Sequence, residues 1–136
     1  SKIFILGNGS NVLFDDDIYK GTIIKLGKSF SNITLLDKEK IIAGAAVSQK
    51  KVSEFAKDHN ISGLEFMSCI PGSIGGGIRM NSGCFKKEFK DVLISIQLVD
   101  FQGVVKSIPA NKINFNYRSI DLSKDLIFLS ATFKGK

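Results

Sequence analysis

Glycine is concentrated in two short stretches of this chain, and this constrains how the backbone can fold there. Of the thirteen glycines, seven fall within residues 7–11 and 71–83. Because glycine weakens helices and strands, such clusters indicate a backbone that must come very close to another group. Two clusters about sixty positions apart are suited to gripping one long ligand from both sides. A dinucleotide, with its charged pyrophosphate in the middle, is the ligand class that this arrangement favours.

Length and composition indicate one globular domain. The 136 residues are 43% hydrophobic and 24% charged, and a chain of this size buries roughly two-thirds of its unfolded surface on folding. No apolar run approaches the ~20 residues of a membrane span, and no signal-peptide pattern opens the chain. We therefore expect a soluble cytoplasmic protein without membrane contact.

The net charge of +6 is spread over the whole chain. Lysines are scattered and no basic run is interleaved with aromatic residues, so we expect no nucleic-acid partner. A basic RNA-binding domain is kept as a minor alternative. Against the lysine background, the two arginines, Arg79 and Arg118, indicate positions that need a rigid, permanently charged fork. Chance placement of these two residues is the competing explanation.

The cysteines and the histidine do not form a recognisable metal or catalytic motif. Cys69 and Cys84 have neither paired spacing nor nearby histidine ligands, which argues against a zinc site and against a disulfide framework. We expect reduced, partly buried thiols and no bound metal. The single histidine, His59, has no nucleophile partner in the sequence and is predicted at a helix end.

Hydrophobic periodicity predicts an α+β fold. Ser48 is predicted to cap a helix that runs to about His59, with Val47 and Val52 forming a hydrophobic staple around the cap. A short helical turn is expected at 88–92. Ile94, Ile96 and Leu98 alternate with polar residues, as in a half-buried strand. Strands are predicted at 3–6, 22–24, 33–36, 41–43, 94–98, 104–108 and 126–133, several of them joined as hairpins, which favours α+β over a regular βαβ repeat.

Neither glycine stretch matches a familiar phosphate motif. A Rossmann loop needs a third glycine where this chain has Val12, and a P-loop needs lysine and a hydroxyl residue where it has Ile78 and Arg79. The underlying physics still applies, because successive backbone N–H groups in a glycine loop form a concave anion site. Ser10 and Asn11 add side-chain donors beside the first loop.

The second stretch predicts a helix whose start faces a ligand. Pro71 is suited to the first position of that helix, with Gly72 and Ser73 presenting free N–H groups to a phosphate. Glycines at 75–77 would leave one helix face bare, so that a flat ring or ribityl chain could lie against it. The alternative is close packing of the helix on a sheet.

Five motifs together resemble the UDP-N-acetylenolpyruvoylglucosamine reductase family, which makes UDP-N-acetylmuramate for bacterial peptidoglycan. The chain is also similar, more distantly, to the vanillyl-alcohol-oxidase-type FAD-binding fold. That resemblance implies a two-lobed α+β domain with mixed and antiparallel sheet and a few helices. The motifs lie at residues 6–11, 63–66, 70–76, 80–83 and 117–119, so they cover almost the whole chain.

The resemblance implies roles for individual residues. Arg118 would be catalytic, Tyr117 would bind substrate, and FAD would be held noncovalently. The FAD pyrophosphate would lie on Gly7, Asn8, Gly9, Ser10 and Asn11. The rest of the cofactor would be lined by Ile70, Pro71, Gly72, Ser73, Gly75, Gly76, Asn81 and Gly83.

The implied reaction passes hydride from NADPH through FAD to the enolpyruvyl double bond of UDP-N-acetylglucosamine enolpyruvate. A fixed guanidinium at Arg118 would stabilise the negative charge that develops on this substrate. The family's proton-donating serine and its assisting glutamate lie in a C-terminal substrate-binding domain beyond residue 136. We therefore expect residues 1–136 to be a partial FAD-binding domain, truncated at both ends and inactive alone. A non-catalytic flavin- or nucleotide-binding module is the alternative.

The chain departs from the family pattern in one turn. Phe85 and Lys86 stand where the family commonly has tyrosine and glycine, and Ser82 stands where alanine is usual. Because Lys86 replaces a flexible residue, we expect the turn after Gly83 to differ.

Overall fold

The computed structural model describes residues 3–5 and 22–136, with side chains from residue 24 onward. The first glycine stretch, residues 7–11, lies outside the described residues. Leu6, the last residue of the predicted strand 3–6, lies outside them as well, whereas the other predicted elements and site residues fall within them.

Eleven strands and two α-helices are found in the described part of the chain. The helices are α1 (Gln49–Asp58) and α2 (Ile74–Met80), and shorter 3-10 helices include Glu65–Cys69 and Phe89–Asp91. Neither α-helix in these ranges is long and apolar enough to cross a bilayer. The strands are β1 (Ile3–Ile5), β2 (Thr22–Ile24), β3 (Ile33–Leu35), β4 (Lys40–Gly44), β5 (Gly83–Cys84), β6 (Lys87–Glu88), β7 (Leu93–Asp100), β8 (Val105–Pro109), β9 (Phe115–Asn116), β10 (Ser119–Ile120) and β11 (Leu126–Lys134).

The main sheet has five antiparallel strands in the order β3-β4-β11-β7-β8. The pair β1 and β2 is parallel, whereas β5–β6 and β9–β10 are short antiparallel hairpins. The hairpin between β7 and β8 turns at Gly103, whose φ of 89° is one that glycine adopts readily. The predicted α+β class, with mixed and antiparallel sheet and few helices, is confirmed.

Helix α1 forms where its sequence signals place it. The Ser48 side chain accepts a hydrogen bond from the Lys51 N–H at 3.1 Å, which satisfies one otherwise free donor of the first turn. Val52 and Ala56 are buried in the hydrophobic core, and Phe55 packs partly buried against it. The helix ends at His59, whose ring stacks on Phe55 with centroids 4.1 Å apart. Local signals therefore sufficed for this element.

The prediction that Ile94 shares the buried face of β7 is wrong. Ile96 and Leu98 are buried, but Ile94 is 37% exposed, while its neighbour Leu93 is buried instead. The reason is a register shift: β11 pairs Thr132 with Ser95 and then Phe133 with Leu93, leaving Ile94 as the extra residue of a bulge. A bulge inserts one residue into the alternation and so exchanges the two faces of the strand.

The core lies between one face of the main sheet and the two α-helices. Phe89 is fully buried and contacts Phe133 and Phe66 edge to face, with ring centroids 5.4 and 6.2 Å apart. Such aromatic pairs add to area burial. Because Phe89 follows β6 directly, this packing anchors the segment after Gly83, where predicted site residues lie.

Candidate functional site

Helix α2 carries the second glycine stretch, and it begins later than predicted. Ser73 is the N-cap residue, and its hydroxyl accepts a hydrogen bond from the Gly76 N–H at 3.2 Å. Pro71 is therefore not the first helical residue, which corrects the prediction. The chain enters the helix through Gly72 in the left-handed region, with φ of 111°. The hydrogen bond from the Gly76 N–H to the Ser73 side chain fixes where the helix starts. The restricted φ of a proline two residues earlier has less influence on that start.

The first N–H groups of α2 are paired within the protein. The Ile74 N–H donates to the Val47 carbonyl at 2.8 Å, and the Gly75 N–H donates to the Ala45 carbonyl at 2.9 Å. By contrast, the N–H groups of Gly72 and Ser73 find no hydrogen-bond acceptor in the described part of the chain. The two donors expected to meet a phosphate are thus the ones without an acceptor among the described residues, although Ser73 itself is buried.

The three consecutive glycines of α2 have different surroundings. A Cβ on Gly75 would lie 3.3 Å from the Ala45 Cβ, and one on Gly77 would clash with the Phe89 ring and lie 2.9 Å from Gln49 Nε2. Close packing, the alternative explanation, therefore accounts for these two positions. Gly76 is exposed, and its Cβ would meet only the Ser73 hydroxyl, at 3.6 Å. A flat group can approach the helix at Gly76.

Asn81 ends α2 and holds three segments together. It is fully buried and adopts the left-handed conformation, with φ of 42° and ψ of 54°. Its Nδ2 donates to the Asn116 carbonyl at 2.9 Å, and its Oδ1 accepts from the Lys90 N–H at 3.0 Å. Since every donor and acceptor of a buried amide needs a partner, this side chain fixes the β9–β10 hairpin against α2.

Arg118 lies at the tip of that hairpin, beside the C-terminal end of α2. Its guanidinium makes long contacts to the carbonyls of Asn81, at 3.5 Å, and Gly83, at 3.4 Å, and rests over the Tyr117 ring at 4.6 Å. Its backbone φ is 58°, a value uncommon for a residue with a side chain. The Arg118 side chain is 38% exposed and Tyr117 is 80% exposed. Both side chains are thus accessible from solvent.

Gly83 allows this approach of the guanidinium. A Cβ at this position would lie 2.9 Å from Arg118 Nη1, 2.7 Å from the Lys87 carbonyl oxygen and 2.8 Å from Glu88 Cγ. No side chain fits there without displacing Arg118 or the backbone of β6. In this structure the absence of a side chain at Gly83 makes room for the side chain of Arg118.

Glu88 is a site residue that the sequence reasoning missed. Its carboxylate lies 3.8 Å from Arg118 Nη1 and 3.4 Å from Asn81 Nδ2, and it forms a reciprocal capping box with Asp91. The glutamate–x–x–aspartate spacing before the predicted turn at 88–92 is the signal that could have revealed the capping box. Nothing in the spacing indicates the contact with Arg118.

Arg79 has a structural environment. Its guanidinium donates to the carbonyls of Leu122, at 3.1 Å, and Ser123, at 3.0 Å, and lies 4.6 Å above the Phe128 ring. Burial lowers the pKa of Arg79 below its ordinary value, and an arginine keeps its charge near neutral pH. The rigid guanidinium fork predicted to be needed at this position is used here to bind two backbone carbonyls.

The predicted site residues form two groups along α2. Gly72, Ser73 and Gly76 lie at its N-terminal end, and Asn81, Gly83 and Arg118 meet at its C-terminal end. A seven-residue helix separates these groups by about 10 Å, a distance that one extended ligand can span. A separate surface groove of about 360 Å³ is lined by residues that include Glu39, Lys87, Asp91 and Lys134. It contains no residue of either group, although Gly63, from the motif at 63–66, lines it.

Comparisons with known proteins identify the family of this chain. Residues 1–108 match the model of a family described as FAD binding domain. The chain is 60% identical over 134 residues to a UDP-N-acetylenolpyruvoylglucosamine reductase of Pelagibacter ubique, and 42% identical over 132 residues to that of Rickettsia felis. These alignments cover 98% and 97% of this chain but 44% of each relative. The chain therefore spans less than half the length of these relatives.

Solved structures give the same picture at the level of the fold. The UDP-N-acetylenolpyruvylglucosamine reductase of Thermus caldophilus superimposes with a TM-score of 0.83 at 27% identity, covering 98% of this chain and 48% of the other. The quinoline 2-oxidoreductase of Pseudomonas putida superimposes with a TM-score of 0.69 at 13% identity, covering 98% and 52%. The second likeness shows a shared fold alone.

Proposed function

Because this chain belongs to the FAD binding domain family, we propose that it is the flavin-binding part of a longer reductase of peptidoglycan precursor synthesis. The resemblance inferred from the five motifs is confirmed by the curated relatives. The proposed enzyme is cytoplasmic and reduces UDP-N-acetylglucosamine enolpyruvate with NADPH. Residues 1–136 would be a partial FAD-binding domain, and a C-terminal domain would supply substrate contacts and the proton donor.

The described residues fit an FAD molecule laid along α2. Gly72 and Ser73 offer unpaired N–H groups, Gly76 offers a bare backbone face, and Arg118 offers a partly exposed cation at the other end. In our proposal the first two hold phosphate or ribityl oxygens, and Gly76 lies under an uncharged part of the cofactor. Residues 7–11 would hold the pyrophosphate, with Ile70, Pro71 and Gly75 completing the lining. When bound, FAD would supply hydride transfer between NADPH and the enolpyruvyl double bond.

One observation carries the catalytic part of the proposal: the guanidinium of Arg118 is held by backbone carbonyls and by Glu88 while its side chain stays 38% exposed. A preorganised cation stabilises developing negative charge without the cost of reorganising solvent. Arg118 would therefore bind the substrate carboxylate and stabilise the charge formed as hydride adds. Tyr117 would present its exposed ring to the substrate or the cofactor. A backbone held at an unfavourable φ is consistent with such a role.

The experiment uses the full-length protein that contains this chain. FAD content is read from its absorbance spectrum, and NADPH oxidation is measured with and without UDP-N-acetylglucosamine enolpyruvate. We expect bound FAD and oxidation that depends on this substrate. Bound FAD without turnover would instead favour the non-catalytic flavin-binding module. Absence of FAD together with salt-dependent RNA binding would overturn the proposal.

A matched substitution tests the role of Arg118. Arg118→Lys keeps the charge but removes the planar fork. We expect the rate at which substrate reoxidises the reduced enzyme to fall by about 10²–10³-fold, as when one oxyanion donor is lost, with FAD content unchanged. Loss of FAD would show instead that Arg118 is a cofactor-binding or structural residue.

A further inference from the structure

The two cysteines, separated by fifteen positions in sequence, are neighbours in the fold. Cys69 ends the 3-10 helix Glu65–Cys69, and this helix packs against β5, which contains Cys84. The two cysteines therefore lie on adjoining elements of the fold. Both are free. The expectation of partly buried thiols is met by Cys84, whereas it is wrong for Cys69, which is exposed. Their spacing gave no sign that the packing of two short elements would place the two cysteines on adjoining segments.

The two thiols differ in exposure. Cys69 is exposed, with the Ser68 hydroxyl 3.7 Å from its sulfur, whereas Cys84 is half-buried. Burial raises the pKa of Cys84, and the neighbouring Cys69 thiol raises it further, against smaller lowering effects from the Phe85 N–H and the positive charge of Arg118. An accessible thiol beside a partly shielded one is the arrangement in which the first reacts with an external oxidant and the second resolves the product.

We propose that Cys69 and Cys84 are a reversible oxidation site that closes to an intramolecular disulfide on reaction with a small disulfide such as oxidised glutathione. The Cys69 thiolate attacks one glutathione sulfur, forming a mixed disulfide and releasing one glutathione. Cys84, deprotonated, then attacks the Cys69 sulfur and releases the second glutathione. Two thiols are oxidised, one external disulfide is reduced to two thiols, and no other reactant is needed.

The position of the pair connects it to the candidate site. Cys84 follows Gly83, whose carbonyl accepts from Arg118 and whose missing Cβ makes room for that guanidinium. A disulfide would tie β5 to the 3-10 helix and so restrain the carbonyl that Arg118 contacts. Transient disulfides of this kind in reducing compartments are usually redox-sensing or catalytic. The inference concerns the thiols themselves and does not depend on the proposed reductase activity.

The test reads the bond directly. The purified protein is incubated under native conditions with oxidised glutathione, quenched in acid, alkylated, digested without reductant and analysed by mass spectrometry. We expect a cross-linked peptide pair that contains Cys69 and Cys84, which dithiothreitol converts back to two alkylatable thiols. Cys69→Ser and Cys84→Ser serve as matched controls, and each should abolish the cross-link while the remaining cysteine still takes up glutathione.

A second measurement separates folded proximity from simple reactivity. The equilibrium between dithiol and disulfide is measured against a glutathione buffer in native protein and in protein unfolded by urea. We expect the native fold to favour the disulfide by about tenfold or more, equivalent to about 30 mV for a two-electron couple. Mixed disulfides on both cysteines without a cross-link in native protein, or an equilibrium no different from that of the unfolded chain, would overturn the proposal.

Discussion

The guanidinium of Arg118 and the carboxylate of Glu88 face each other across the C-terminal end of α2, with Nη1 and Oε1 3.8 Å apart. Glu88 is the more buried partner, with 23% of its side chain exposed against 38% for Arg118. The same carboxylate approaches the buried amide of Asn81. Glu88 therefore connects the catalytic candidate to the helix end on which the site is built.

We expect Glu88→Gln to lower kcat of the full-length enzyme by about ten- to a hundredfold, because small misplacement of a catalytic group has effects of this size. The KM for the enolpyruvate substrate should change less. Asp91→Asn is the matched control, since Asp91 is the other half of the capping box and is not among the Arg118 contacts. Both variants should lose about 0.5–1 kcal/mol of unfolding free energy. Equal kcat in the two would show that Glu88 acts only as a cap.

Substitution by lysine should lower the unfolding free energy by different amounts at the two arginines. Arg79→Lys removes two hydrogen bonds to the carbonyls of Leu122 and Ser123, and we expect the unfolding free energy to fall by about 1–2 kcal/mol. Arg118→Lys should change it much less, because its contacts are longer and more exposed. Urea denaturation measures both. A larger loss for Arg118→Lys than for Arg79→Lys would contradict the structural role of Arg79.

Alanine substitutions at two neighbouring glycines of α2 should distinguish a glycine needed for packing from one needed for ligand access. Gly77→Ala places a methyl against Phe89 and Gln49, and we expect about 1–3 kcal/mol of destabilisation from overpacking. Gly76→Ala places its methyl at an ordinary contact distance of 3.6 Å from the Ser73 hydroxyl, so the cofactor-free protein should gain about 0.5–1 kcal/mol from helix propensity.

The same pair is then compared for FAD affinity by fluorescence titration. Gly76→Ala should weaken FAD binding even though it stabilises the free protein, because its methyl occupies the face that the cofactor would need. Unchanged affinity in Gly76→Ala would remove Gly76 from the proposed site.

The β5–β6 hairpin turns through two residues that are unfavourable there. Phe85 and Lys86 have φ of 54° and 63°, values that suit asparagine and glycine in a two-residue hairpin. We expect Lys86→Gly to raise the unfolding free energy by about 1 kcal/mol, because the left-handed conformation no longer clashes with a Cβ. In the exposed strand β8, Lys106→Gly should instead lower it. A loss of stability in Lys86→Gly would mean that its side chain makes a compensating contact.

The sequence showed that the β5–β6 turn departs from the family pattern, but it did not show what conformation the turn would adopt. The sequence showed that Lys86 replaces a flexible residue. The structure has a tight two-residue turn and places Phe85, 77% exposed, at its tip. The hairpin lies between Gly83, which has no room for a side chain, and the buried Phe89. Local sequence does not encode these contacts.

The sequence by itself determined the elements whose causes are local. Ser48 specifies where α1 begins, Gly103 specifies a hairpin turn, and apolar runs with some alternation indicate the longer strands. The five motifs were also sufficient to identify the family. Each of these signals acts over a few residues, through a hydrogen bond, a favoured φ or a repeating hydrophobic face, so it can be read without knowing what packs against it.

Only the tertiary structure decided which residues meet. It packed Gly77 against Phe89 and left Gly76 exposed, turned Ile94 outward through a bulge, and packed the 3-10 helix that ends at Cys69 against β5. It also placed Glu88 beside Arg118 and made Asn81 the buried link between them. These outcomes depend on contacts between segments far apart in sequence, where close packing and the need to pair every buried polar group leave few arrangements. These contact partners cannot be predicted from residue type and spacing alone.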